Sequence, residues 1–215
     1  MFIQQLFAAT PVPFGAKGSP SSIIKSPVSS LTVLIDKTLE DEQGNKRLHG
    51  GPEKVLHQYA TDSYAVFAQH FPEQANDFVP GSIGENISIA GMTDKTTKIG
   101  DIYRMGEALL QVGSPREPCS KISQRFGIKG LDSFVNQHGI TGWYFRVLKP
   151  GTIKQGDKVT LEMTDSGSLS VYQFMSVVNN KSVTKASIES AASISDLDPE
   201  WEKRLLQKAR RAPLS

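Results

Sequence analysis

Residues 100–112 read GDIYRMGEALLQV, and this stretch decides the fold class. Two short apolar runs, DIYRM (101–105) and ALLQV (108–112), stand either side of Gly106-Glu107, a pair suited to a hairpin turn. The opening recurs: KIGDIYR (98–104) and KQGDKVT (154–160) each set a Gly-Asp turn at the head of a strand. Working outward, LTVLI (31–35), ENISIAGM (85–92), WYFRVL (143–148) and KVTLEM (158–163) have the same strand character. Many strands at short spacing predict a mainly β domain over residues 1–163, closed or nearly closed into a barrel.

A helical insertion is expected to interrupt the strands. Pro52 suits a first helical position, and Val55, Leu56 and Tyr59 then share one face. Thr61 or Asp62 can cap a second helix, SYAVFAQHF, which ends before Pro72. After Gly167 the pattern becomes helical, and SLSVYQFMSVVNN, SVTKASIESAAS and LDPEWEKRLLQKARR predict a small three-helix domain over 168–215. In the last of these Asp198 is the expected N-cap and Pro199 the first residue. Glu200 and Glu202 face the positive end of the dipole, while Lys208, Arg210 and Arg211 face the negative end. That basic tail is read as dipole complementation and not as an arm for nucleic acid.

Composition bounds the function classes. A chain of 215 residues with 38% hydrophobic side chains can build a real core, at ~150 residues per domain one domain and an appendage. The 24 basic and 22 acidic residues nearly cancel, which argues against a protein that grips nucleic acid or anionic lipid. A single cysteine excludes an intrachain disulfide and a multi-thiolate zinc cage. The N-terminal MFIQQLFAATPVPFGAKG lacks an early basic residue and is broken by Pro11 and Pro13, so it reads as a strand and loop, not as a signal peptide. No run reaches the ~18 apolar residues of a membrane span, and a cytoplasmic protein is expected.

The chemistry concentrates in three loops. In RLHGGPEKVLHQY (47–59), Gly50 and Gly51 precede a Pro-started helix, so the backbone can approach a ligand and helix N–H groups can meet an anion. Lys54 adds a point charge, and His49 is aimed at the same space; a plain turn with a surface histidine explains the segment equally well. His57, His70 and His138 are given no role. In VPGSIGENISIAG (79–91), Glu85 and Asn86 stand at a strand mouth, placed either to hydrogen-bond a polar heterocycle or to cap the bend. In QVGSPREPCSKISQRF (111–126), Pro115 and Pro118 stiffen a loop that holds Cys119, and Arg116, Lys121 and Arg125 supply positive charge favouring the thiolate. No histidine lies near Cys119 in sequence, which leaves little support for a Cys–His hydrolase.

HGGPEK (49–54), GENIS (84–88), GDIYRMGEALLQV (100–112), PREPC (115–119), RFG (125–127) and TGWYFRVLKPG (141–151), in this order, resemble the MOSC domain, the sulfurase C-terminal module. More narrowly they resemble its stand-alone bacterial YiiM-like subgroup, which carries a small helical tail. The resemblance implies a MOSC-type β-barrel and binding of the molybdenum cofactor (molybdopterin), a pterin dithiolene bearing a phosphate. It implies Cys119 as the protein ligand to molybdenum, and reduction of N-hydroxylated bases such as 6-hydroxylaminopurine. A soft thiolate suits a metal already held by sulfur, and the Gly-Gly turn suits the phosphate.

Two readings follow. One is a molybdenum-dependent reductase of N-hydroxylated small molecules, with Cys119 at the reaction centre as the resemblance implies; the loop chemistry adds His49 and Glu85 there, and Gly50, Gly51, Lys54, Asn86 and Arg116 as the residues holding the cofactor. The other is a non-catalytic cofactor carrier or sulfur-transfer module acting through Cys119. No flavin, haem or iron–sulfur motif is present, so a reductase needs an electron donor from outside the chain. Neither a nucleic-acid polymer nor a membrane is expected as partner, and the oligomeric state stays open.

Overall fold

The computed structural model describes residues 1–44 and 50–212. In chain order the elements are strands β1 (Gln5–Ala8), β2 (Val12–Phe14), β3 (Ser19–Ser21), β4 (Ser26–Val28), β5 (Ser30–Val33) and β6 (Leu56–Ala60), then helix α1 (Ser63–His70). Next come β7 (Ile87–Ile89), β8 (Ile102–Met105), β9 (Ala108–Pro115), α2 (Ser120–Phe126) and α3 (Leu131–Gln137). The chain closes with β10 (Trp143–Lys149), β11 (Gly151–Lys154), β12 (Val159–Met163), α4 (Val171–Asn179), α5 (Lys185–Ala192) and α6 (Pro199–Arg211).

The hairpin at 106–107 forms as its sequence requires, with Met105 opposite Ala108. It sits within an eight-stranded sheet of order β12-β8-β9-β10-β6-β7-β1-β4, in which only β6 and β7 run parallel. That parallel pair needs a crossover, and α1 with the 3-10 turns at Pro72–Asp77 supplies it. The pairs β5–β11 and β2–β3 form separate two-stranded ribbons. The two sides of the sheet also meet: Phe2 and Lys158 form an antiparallel bridge, Ile3 N donates to Asp157 O at 2.9 Å, and Val159 N donates to Met1 O at 2.9 Å, tying the β1 side to β12.

The first expected helix fails. Residues 55–60 are not a helix: Pro52–Lys54 makes a single 3-10 turn, and Leu56–Ala60 is strand β6, paired with β10 on one edge and β7 on the other. All five strand residues are buried. A strand covered on both faces shows no alternation, so its apolar positions can imitate a helical spacing. The second helix does form, but Asp62 does not cap it with its side chain; Asp62 Oδ2 accepts from Gly91 N at 2.8 Å. Helix α2 falls within the stretch that the sequence reads as loop, and α3 follows it.

The three C-terminal helices stand where the sequence places them. Ser170 and Gln173 form a reciprocal capping box on α4, Thr184 accepts from Ser187 N, and Asp198 accepts from Glu200 N at 2.8 Å. Their apolar faces join the sheet: Phe174, Ile188, Trp201 and Leu205 belong to the same buried cluster as Val112, Trp143 and Phe145. A second, aromatic cluster packs Tyr59, Tyr64, Phe67 and Phe78 against α2 and α3. No helix among the described residues is long and apolar enough to cross a membrane.

Candidate functional site

The end of β9 delivers the third loop. Arg116 N donates to Gly142 O at 3.0 Å, and the chain then passes Pro118 to reach Cys119, the residue before α2. Two of the three cations near the cysteine are used to build a wall. Lys121 Nζ donates to Pro20 O at 2.7 Å and Arg125 Nη1 to Ile23 O at 2.9 Å, drawing residues 20–23 over the site. On the other side Gly84 lets the chain come close: at φ +85° a Cβ would lie 3.2 Å from Ile23 Cα. The 3-10 turn is fixed to β10 by the Glu53–Arg146 ion pair and by Val55 N donating to Phe145 O at 3.1 Å.

These loops meet at one open cleft lined by Lys54, Gly84, Asn86, Arg116 and Cys119, one or more residues from each of the three. Its polar lining also includes Lys25, Asp41, His57, Lys121 and Tyr144. Among the described residues, four cations thus face one carboxylate. Lys25 and Asp41 form a buried ion pair, and burial lowers the Lys25 pKa despite the carboxylate. Arg116 is only 6% exposed; it hydrogen-bonds the buried Tyr144 phenol, and its Nη1 has no partner among the described residues. A buried guanidinium N–H left open is costly unless an acceptor arrives, which makes this a site for an anion. His57 is fully enclosed: burial, with the Arg116 charge second, pushes its pKa well below the ordinary histidine value. Its ring is neutral, and its Nε2 has no partner among the described residues.

The remaining expected residues separate. Asn86 lines the cleft but also stitches strands, accepting from His57 N at 3.0 Å and donating to Phe7 O at 3.2 Å. Glu85 does not line it. Its Oε1 accepts from Tyr64 Oη and Gly81 N, both at 2.6 Å, and from Ser88 Oγ at 2.9 Å, a set of bonds that holds the 81–88 bend. Gly50 and Gly51 do not line it either, and a Cβ on Gly51 would meet nothing within 4 Å, so no close approach requires that glycine. The three-residue turn offers no helix dipole to a phosphate. His49 lies outside the described residues. Lys25, Asp41, His57 and Tyr144 are among the lining residues that sequence reasoning missed. For His57 the signal was present: read as a strand, 55–60 places His57 beside Tyr144 across the β6–β10 pair.

Gly142 supports both His57 and Arg116. At φ +65° a Cβ there would run into Gln58 O and lie 3.0 Å from His57 Nε2. Gly142→Ala is expected to destabilise the fold by at least about 2 kcal/mol, from left-handed strain and overlap together. Urea unfolding checks this, and an unchanged midpoint would show that the turn relaxes freely.

The sheet and the helical tail agree with what comparison finds. The chain matches the MOSC domain model over residues 45–160, more than half its length, and belongs to the MOSC domain family. Within that family it is YiiM-like. Protein YiiM of Escherichia coli (strain K12) is 41% identical over 138 residues, 64% of this chain and 62% of that protein, so the match spans under two thirds of that relative's own length. A crystal structure of YiiM from Geobacillus stearothermophilus has a TM-score of 0.82 at 26% identity, covering 97% of this chain and 98% of that one. A Gibberella moniliformis (strain M3125 / FGSC 7600) protein named Reductase is 35% identical over 137 residues, 63% of this chain but 24% of that protein.

Proposed function

We propose that this protein binds the molybdenum cofactor in the cationic cleft and reduces N-hydroxylated small molecules, hydroxylaminopurines among them. The observation that carries the reading is the convergence of the Cys119 thiol and the unpartnered, buried Arg116 Nη1 on one cavity. The donor set fits the group. A thiolate is the soft ligand a sulfur-bound metal prefers, and Arg116, Lys25, Lys54 and Lys121 suit a phosphate. The fungal relative's name supports the reductive reading over the carrier reading.

When bound, the cofactor supplies two-electron redox chemistry that no side chain of this protein can. The chain's own residues do the rest. Cys119 would ligate the metal, Arg116 would meet the anionic part, and the walls formed by 20–23 and 84 would limit water. Neutral His57 can hold or pass a proton at Nε2. Overall the N–O bond breaks, the amine forms and the oxygen leaves as water, consuming two electrons and two protons from an external reductant.

Protein purified from a host that makes the cofactor is expected to carry molybdenum and pterin near one per chain. With a chemical reductant it should convert an N-hydroxylated purine to the amine, and metal-free protein should not. Equal rates from both forms, or none from either, would overturn the reductase. In the second case a carrier remains only if Cys119→Ala also lowers the cofactor bound.

A further inference from the structure

Away from the cleft, two histidines stand together at the ends of two helices. His70 closes α1 and His138 follows the last residue of α3, and both are exposed. Each ring is held the same way by its own helix. His70 Nδ1 lies 2.9 Å from Val66 O, and His138 Nδ1 lies 2.9 Å from Phe134 O, four residues back in both cases. A carbonyl oxygen can only accept, so Nδ1 carries the proton in each ring, and the neutral imidazole keeps its lone pair on Nε2. A backbone carbonyl on one ring nitrogen is the arrangement that orients a histidine, and raises its basicity, as a metal ligand through the other.

The rings are also placed against each other. Their centres are 5.4 Å apart and their planes 67°. Phe134 packs on both, its ring centre 4.8 Å from that of His70 and 3.9 Å from that of His138. Rings already held in this way lose little side-chain freedom on binding. A zinc ion about 2.1 Å from Nε2, in the ring plane, lies about 3.2 Å from the ring centre. Two such rings at a tetrahedral angle have centres about 5 Å apart, close to the separation here. Among the described residues no third histidine, cysteine or carboxylate joins them, so water would complete the shell. Imidazole nitrogen suits zinc, copper or nickel, whereas magnesium and calcium take oxygen.

We propose that His70 and His138 form a two-histidine surface site for a divalent transition ion such as zinc, bound through both Nε2 atoms and joining the end of α1 to the end of α3. The site is separate from the cleft, which neither residue lines, and it does not depend on the cofactor reading. Its effect is to brace the aromatic cluster, where Phe67 of α1 meets Phe134 of α3 with ring centres 6.1 Å apart.

The test uses the untagged full chain carrying Cys119→Ala, which removes a competing thiol, and follows the histidine ring nitrogens by NMR as zinc is added. The Nε2 signals of His70 and His138 should move together, their Nδ1 signals much less, and magnesium should move neither. Calorimetry should find zinc binding that His70→Gln and His138→Gln each weaken about tenfold or more, with the double variant little worse than either single one. If one substitution abolishes binding while the other leaves it intact, the ligand is a lone imidazole and the paired site falls. It falls equally if neither Nε2 signal moves at about 1 mM zinc, the weak end of specific affinity.

Discussion

Cys119→Ala is expected to lower reduction of an N-hydroxylated purine by at least about 100-fold, since even partners one shell outside a metal's ligands are commonly worth 10–100-fold. The fold should survive. Cys119 is half-buried, caps no helix through its side chain and lies outside both hydrophobic clusters, so its removal should change stability by no more than about 0.5 kcal/mol. That contrast gives the experiment its force, because a large loss of rate with an unchanged unfolding midpoint isolates the thiol's chemistry from its packing. Cys119→Ser adds a second axis. The hydroxyl is a harder ligand of similar size, so the loaded serine variant should retain cofactor but show a displaced reduction potential and altered visible absorption. A hydrolase using Cys119 as nucleophile would lose activity in both variants without any change in metal-dependent absorption. Wild-type rates in Cys119→Ala would end the assignment of this residue.

The sequence carried the strands well because turn chemistry marks their ends. The Gly-Asp turns and Gly106-Glu107 are local signals, and each strand they bound appears in the sheet. The tail was legible for the same reason: Ser170, Thr184 and Asp198 are N-caps that act within a few residues. What failed was non-local. Leu56–Ala60 becomes a strand because β10 and β7 cover both its edges, a fact that no window of ten residues contains. The site divides along the same line. Cys119, Arg116, Lys54 and Asn86, singled out from loop character because prolines, glycines and charges cluster around them, line one cleft. Lys25 and Asp41 were not found, because they reach the cleft from 20–44, a segment without a motif, and matter only through the partner each finds there. Glu85 shows the opposite error. Its position at a strand mouth suggested chemistry, yet its bonds to Tyr64, Gly81 and Ser88 bind the bend together.

Asp94 should make the stability of this protein fall as pH rises from about 4 to 7, and Asp94→Asn should remove that fall. The carboxyl is 2% exposed. Its Oδ1 accepts from Gly142 N at 2.8 Å and from Thr141 Oγ1 at 3.4 Å, while Oδ2 has no partner among the described residues. Burial raises its pKa to about 7, with those hydrogen bonds opposing. Below pH 4 the acid is protonated in folded and unfolded chains alike, and it imposes no penalty. Between about 4 and 7 the unfolded chain ionises while the folded one keeps its proton, so stability declines; above 7 the full penalty remains. The shift corresponds to roughly 4 kcal/mol at most. Buried His57 acts in the opposite sense, since its depressed pKa means stability is lost as pH drops below about 6.5. The two effects overlap in the wild-type curve, but subtracting the curve of Asp94→Asn cancels the histidine. Asparagine keeps the acceptor facing Gly142 and Thr141 and gains an amide group with no ready partner, so the variant should be no more stable than wild type at pH 4.5. At pH 8 it should be ahead by about 1–3 kcal/mol. Denaturant unfolding at the two pH values reads this directly, and a difference that stays constant across the range would show that Asp94 is ionised in the folded protein at all of them.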